Sequence, residues 1–148
     1  MNQEIERKFL ITSPLPNISA AKKSNLAQGY IASGDSEVRI RKRDRTHTLT
    51  CKQGEGLVRQ EIEIEISKDQ FEALWPLTKG KRIEKTRYNL SHSNHTIEID
   101  VYEGSLKPLV VAEVEFESTT ESEVFECPSY FGLEVTEDSR YKNRNLAT

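Results

Sequence analysis

The sequence predicts an α+β fold in which an antiparallel sheet dominates. Apolar and charged residues alternate with a period of two over most of the chain. Short polar stretches separate the alternating segments, as hairpin connections do. Helical spacing is confined to a few short segments.

The first ten residues, MNQEIERKFL, place Glu4, Glu6 and Lys8 on one face of a strand and Ile5, Arg7 and Phe9 on the other. After the Pro14-Leu15-Pro16 turn, a short helix is expected over 17–27. VRIRKR at 38–43 alternates through Val38, Arg39, Ile40 and Arg41, and HTLTCKQG at 47–54 returns as the second arm of a hairpin. QEIEIEIS at 60–67 is the cleanest strand, with Glu61, Glu63 and Glu65 opposite Ile62, Ile64 and Ile66. Ser67 and Gln70 then form a capping-box signature that opens a helix bearing Phe71, Leu74 and Trp75. Pro76 limits or kinks that helix, and Gly80 is its stop. Alternation resumes in RIEKTRYNL at 82–90, HTIEIDVYEG at 95–104 and LVVAEVEFES at 109–118. FGLEVTE at 131–137 reads as a last strand, followed by a short helix around Tyr141 to Leu146. The total is about eight strands, mostly antiparallel because their connections are short.

With 148 residues the chain reads as one domain over 1–148, long enough to bury a core. Charged residues make up 30% of it, above the ordinary share, and the excess must go to solvent or to a site. Lys and Arg number 21 against 24 Asp and Glu, a net charge of -3. That balance argues against a nucleic-acid coat or an anionic membrane surface, while leaving room for a local basic cluster. No apolar run approaches the ~20 residues of a membrane helix, and the N-terminus lacks the layout of a signal peptide. Cys51 and Cys127 form no disulfide framework, which suits a reducing compartment and a cytoplasmic protein. His92 and His95 in LSHSNHT read as a solvated hairpin loop rather than a metal site.

For one strand alone, the alternation means a wet face and a buried face, with cross-strand ion pairs on the surface. Two features of the whole set point inward instead. Charge sign is segregated by strand: EIEIE and EVEFE are acidic, and RIR is basic. Like charges two residues apart repel, so a surface gains little from such rows. The strands are also numerous enough to close, and a closed sheet has an inside. Charges buried dry would be very costly, but a wet cavity that takes a polyanion and divalent cations removes that cost.

EIERKFL resembles the N-terminal ExExK signature of the CYTH superfamily, the triphosphate tunnel metalloenzymes. QGYI at 28–31, VRIR at 38–41, TCKQG, VRQEIEIEI at 58–66, EKTRY at 84–88, EIDVYEG at 98–104, AEVEFE at 112–117 and FGLEVTEDSRYKNRNLA at 131–147 follow in family order. The resemblance implies an eight-stranded antiparallel β tunnel, a closed barrel with a charged interior and a few helices packed outside. It implies phosphate contacts from Lys8, Arg39, Arg41, Lys52, Lys85 and Arg87, with Arg140 as a further candidate in the tail. Lys42, Arg43 and Arg45 read as surface cations. Glu4, Glu6, Glu113 and Glu115 match metal ligands; Glu61, Glu63 and Asp100 would hold a second metal or orient water. Carboxylate oxygens suit Mg2+ or Mn2+, with Ca2+ expected to inhibit. The family's tyrosine–lysine catalytic pair would be Tyr30 with Lys85.

The implied activity is hydrolysis of inorganic triphosphate to pyrophosphate and phosphate, with a small-molecule substrate. The alternatives are a class IV adenylate cyclase, a thiamine triphosphatase and a non-catalytic polyphosphate-binding module. Both charged walls are intact, which favours catalysis over binding alone. The outer apolar face exceeds what a few helices can cover, which leaves room for a homodimer.

Overall fold

The structure, a computed structural model, describes residues 2–19, 21–54 and 56–148. Eight strands run in chain order as β1 (Asn2–Leu10), β2 (Lys22–Ala32), β3 (Ser36–Arg43), β4 (Thr46–Gln53), β5 (Val58–Ile66), β6 (Arg82–His92), β7 (His95–Tyr102) and β8 (Val110–Phe116). They close into an antiparallel barrel in the order β1-β5-β4-β3-β2-β6-β7-β8. Three short helices lie between or after them: α1 (Lys68–Leu74), α2 (Thr119–Val124) and α3 (Asn143–Leu146).

The expected total of eight strands is correct, but one expected strand is absent and another takes its place. The helix expected over 17–27 is instead strand β2, Lys22–Ala32. Its inward side chains, Ser24, Leu26, Gln28 and Tyr30, carry no charge, so the alternation that marks the other strands is absent there. Pairing along both edges, with β3 and β6, overrides the weak helical preference of Lys, Leu and Ala. FGLEVTE in turn is not a strand of the barrel; it makes one isolated bridge, Phe9 to Glu134.

That segment works as a strap across an incomplete seam. β5 pairs with β1 only from Asn2 to Ile5. Further along, the free edge of β1 is taken by the strap: Leu10 N donates to Leu133 O at 2.9 Å and Val135 N to Lys8 O at 2.8 Å. Lys8 N donates to Thr136 Oγ1 at 3.0 Å, and Arg7 pairs with Glu134 at 2.7 Å. The backbone groups of Lys8 and Leu10 that β5 leaves unpaired are thereby satisfied.

Turn chemistry agrees with the sequence. Asp44 and Ser93, at φ of 52° and 54°, turn the β3–β4 and β6–β7 hairpins. Helix α1 opens on the expected capping box: Ser67 Oγ accepts from Gln70 N at 3.0 Å, and Gln70 Oε1 accepts from Ser67 N at 2.8 Å. Pro76 converts the next turn to a 3-10 helix, Trp75–Thr78. Helix α2 was not expected; its signal is Ser118, whose hydroxyl accepts from Glu121 N at 3.1 Å. The tail helix begins at Asn143 rather than Tyr141, after a 3-10 turn over Ser139–Tyr141.

Two apolar cores result. The larger lies outside the barrel wall, where Ile5, Ile97, Ile99, Val114 and Phe116 meet Phe125 and Phe131. The smaller closes one end of the barrel with Tyr30, Ile83, Tyr102 and Val111, against Leu146 of the tail. Phe71 and Trp75 stack at 5.0 Å outside the barrel, over His47 and Arg82. Ile62 and Ile64 on the outer face of β5 stay exposed. Both cysteines are free, and Cys51 faces outward beside Ile62. Among the described residues no helix is long and apolar enough to cross a membrane.

The 3-10 turn approaches β2 so closely that a Cβ on Gly29 would lie 2.5 Å from Thr78 Cβ. Thr78 is fully buried and hydrogen-bonded to Trp75 O. Gly29→Ala is therefore expected to lower stability by roughly 1–3 kcal/mol through overpacking. Urea denaturation measures it, and an unchanged midpoint would show that the turn can retreat.

Candidate active site

Closure of the barrel decides which face is enclosed, and it is the charged one. Cross-strand register places Glu6 opposite Glu115 and Lys8 opposite Glu113 on the β1–β8 seam. Lys52 of β4 stands between Glu61 of β5 and Glu37 of β3. Strand order then sorts charge by side. β8, β1 and β5 are consecutive and carry Glu113, Glu115, Glu4, Glu6, Glu61 and Glu63. β3 and β6, across the barrel, carry Arg39, Arg41 and Arg87.

Between these walls lies a polar cavity of about 220 Å³. Lys8, Arg39, Arg41, Lys52 and Arg87 line it from the basic set expected by sequence. Glu4, Glu6, Glu61, Glu63, Glu113 and Glu115 line it from the acidic set, and Tyr30 is present as well. The apolar layer at Tyr30, Ile83 and Tyr102 stands at one end. The tail helps to line the cavity through Tyr141, Lys142 and Asn143; Tyr102 donates a hydrogen bond to Asn143, and Lys8 Nζ donates to Tyr141 O at 3.0 Å.

Three expected site residues are placed differently. Arg140 is exposed and paired with Asp138 at 2.7 Å, outside the cavity; the tail turns its neighbours inward instead. Asp100 and Lys85 face into the barrel but are sealed from the open cavity, both side chains 0% exposed. Asp100 holds Lys85 Nζ at 2.6 Å and Arg87 through two bonds of 2.7 and 2.9 Å. Three of its acceptor positions are thus taken up in anchoring Lys85 and Arg87. Among the described residues no hydrogen bond joins Lys85 to Tyr30; the Tyr30 hydroxyl accepts from Gln28 Nε2 at 3.2 Å.

Sequence reading missed Glu37, Arg43, Arg59 and the tail residues. Arg43 had been assigned to the surface, yet it lines the cavity. The signal was available: Glu37 and Arg43 flank Arg39 and Arg41 at two-residue steps, and Arg59 precedes Glu61 by the same step. The apolar half of each pattern fades at those positions, which hides the continuation.

The electrostatics follow from enclosure. Lys52 Nζ sits 3.0 Å from Glu4 and 3.5 Å from Glu61. Lys8 lies 3.3 Å from Glu113. Burial alone would raise the Glu113 carboxyl, but Lys8, Lys85 and Arg87 hold it well below its ordinary value. Burial likewise opposes ionisation of Asp100, and Lys85 and Arg87 outweigh it. Lys85 is pushed down to about 8 by burial, with Arg87 adding to the effect against Asp100. Burial, then Arg39 and Arg87, push Arg41 down to about 9. Glu6 and Glu115 rise to about 7, through burial first and then their acidic neighbours.

A closed antiparallel barrel with an acidic wall facing a basic wall defines a class of proteins that enclose small polyanions. Residues 2–132 match the CYTH domain, and the chain belongs to that family. It is 47% identical to an inorganic triphosphatase of Nitrosomonas europaea over 148 residues, covering 97% of this chain and 96% of that one. An inorganic triphosphatase of Acetivibrio thermocellus is 38% identical, with 99% and 94% covered. A solved structure of an inorganic triphosphatase superposes with a TM-score of 0.70 at 43% identity, covering 99% of this chain and 95% of that one.

The raised Glu6 carboxyl has a consequence for stability. Its penalty on folding is absent below the ordinary value of 4.5 and fully developed above about 7. Glu6→Gln in the metal-free protein is therefore expected to raise the melting temperature above pH 7 more than at pH 4.5. Scanning calorimetry at the two pH values decides it; an equal gain at both would trace the effect to something other than ionisation.

Proposed function

We propose that the protein is a hydrolase that cleaves inorganic triphosphate to pyrophosphate and phosphate inside this cavity, with the divalent metal as Mg2+ or Mn2+. The observation that carries the reading is the opposition of the two walls across a small polar space. At about 220 Å³ the cavity falls below the roughly 300–1,000 Å³ of sites for drug-sized molecules. A bare phosphate chain suits it better than a nucleotide does.

The chain's own residues then divide the work. Arg39 and Arg41 clamp nonbridging phosphate oxygens, with Lys8, Lys52 and Arg87 as further cationic contacts. Arg87 is held in place by Asp100 and Glu98, so its head group is pre-aimed. Lys85, pushed down to about 8, is a cation that exchanges its proton near neutral pH, and Tyr30 supplies a hydroxyl lining the cavity. Sealed beneath Arg87, Lys85 acts through the Asp100 pairing on the substrate side of the site.

Among the described residues no three acidic, His or Cys side chains converge as a ready metal cage. The carboxylates are instead spread along one wall, and Glu6 and Glu115 repel their acidic neighbours. That suits Mg2+, which is commonly held by one or two carboxylates plus substrate phosphates. Glu4, Glu6, Glu113 and Glu115 are the proposed ligands, with Glu61 and Glu63 for a second ion. Bound there, such an ion would neutralise phosphate charge and polarise the reacting oxygen. The two free cysteines fit a reducing cytoplasm.

A cyclase would need a base-stacking group at the mouth. The segments 12–20, 32–35 and 91–94 offer no aromatic residue, and Phe71 and Trp75 are committed to stacking outside the barrel. Tripolyphosphate should therefore exceed ATP and thiamine triphosphate in kcat/KM by tenfold or more, about 1.4 kcal/mol, with no cyclic AMP formed. Phosphate release with Mg2+ or Mn2+ measures this; cyclic AMP at a comparable rate would overturn the reading. Arg39→Ala and Arg41→Ala should each lose at least tenfold in kcat/KM. A surface pair would instead shift only stability, by about 0–1 kcal/mol.

A further inference from the structure

The basic wall accounts for the cations expected from the sequence, but one guanidinium reaches the cavity from the opposite side. Arg59 is the second residue of β5 and stands directly across the β1–β5 seam from Glu4. Among the described residues it is the arginine of the acidic strands that lines the cavity; Arg7 points outward to Glu134. Its side chain is about nine-tenths buried, being 10% exposed. Among the described residues its one hydrogen bond is a long one, Nη2 to Glu37 Oε1 at 3.3 Å, and its buried Nε has no acceptor. Arg39, two residues beyond Glu37 on β3, shows the same feature: its Nε is also buried without an acceptor.

A guanidinium carries five donors, and leaving them unspent in a buried position is costly. Glu37 cannot satisfy this group alone, because it also faces Arg144 at 4.0 Å. Lys52 does not compete for it, being held by Glu4 and Glu61. Two arginines with spare donors thus converge on one part of the cavity, one from each wall, around a single carboxylate. An anion with several oxygens supplies the missing acceptors, and a phosphate group has the matching geometry.

We propose that Arg59 is a substrate-binding residue that grips a phosphate of the inorganic chain from the acidic wall, opposite Arg39. The assignment rests on the triphosphatase reading for the identity of the chain, and on the unspent donors for the contact. Glu37 then acts as a tether, holding the Arg59 fork until an anion displaces it.

The tether predicts effects of opposite sign. Titration calorimetry with tripolyphosphate, and separately with pyrophosphate, is run on metal-free wild type, Arg59→Gln, Arg59→Lys and Glu37→Gln. Arg59→Gln is expected to weaken tripolyphosphate binding at least tenfold. Arg59→Lys keeps the charge but loses the fork, and should fall between the two. Glu37→Gln frees Arg59 and removes a negative charge, so affinity should rise. Were Arg59 only the buried partner of Glu37, Arg59→Gln and Glu37→Gln would lower the melting temperature alike and leave affinity at the wild-type value, which would overturn the assignment. Should Arg59→Gln not fold, the Lys variant decides the matter: affinity equal to wild type counts against the contact. Hydrolysis is read separately. A wild type that binds tripolyphosphate without cleaving it removes the enzymatic reading and leaves the Arg59 contact to be judged by the binding ratios.

Discussion

A charge enclosed by a barrel must meet another charge or water, and the rest of this structure depends on that constraint. At about 4 Å, opposite charges attract by ~4 kcal/mol in a partly wet interior, and like charges repel by the same amount. Lys52 between Glu4 and Glu61, Lys8 against Glu113, and Arg87 against Asp100 use that attraction to hold the inner wall together. For Glu6 and Glu115, burial and then the neighbouring carboxylates prevail, and their carboxyls rise. The interior is thus balanced at its sealed end and left acidic along one side, which is the condition a metal and a polyanion would complete.

Strand order turns this local balance into a directional site. Had the acidic strands alternated with basic ones around the barrel, each glutamate would sit beside its own cation and the field across the cavity would cancel. Instead β1 lies between β5 and β8, so three acidic rows form one wall. The separation leaves Arg39 and Arg41 on β3 without neighbouring carboxylates sufficient to saturate them; among the described residues Arg39 Nε has no acceptor, and Arg41 bonds a neutral amide at Gln28. Unsaturated donors on one side and crowded acceptors on the other are what phosphoryl chemistry requires.

The chain beyond β8 supports both seams and site. Residues 132–136 supply the hydrogen bonds that β5 does not give to β1, and Glu137 accepts from Leu57 N at 3.1 Å to pin the turn before β5. Further on, Leu146 packs on the apolar end of the barrel, and Thr148 exchanges backbone bonds of 3.0 and 3.1 Å with Arg82. The inner face of β1 carries Glu4, Glu6 and Lys8, so the strap that stabilises this strand also fixes these cavity-lining residues.

What the sequence by itself determined was periodic and local. Alternation with a period of two assigned seven of the strands, and the same step placed Glu4, Glu6, Lys8, Arg39, Arg41 and Lys52 on one shared face. The capping box at Ser67 and the kink at Pro76 were equally legible, because caps and proline act within a turn of the chain. Tertiary structure alone decided what depends on partners distant in sequence. It made 22–32 a strand by pairing both of its edges, and reduced 131–137 to a strap because only β1 was there to meet it. It sealed Lys85 with Asp100, sent Arg140 to the surface, and brought Arg59 into the cavity. Period two says that residues share a face; it cannot say which strands will be neighbours, nor how deep along the barrel each residue comes to lie.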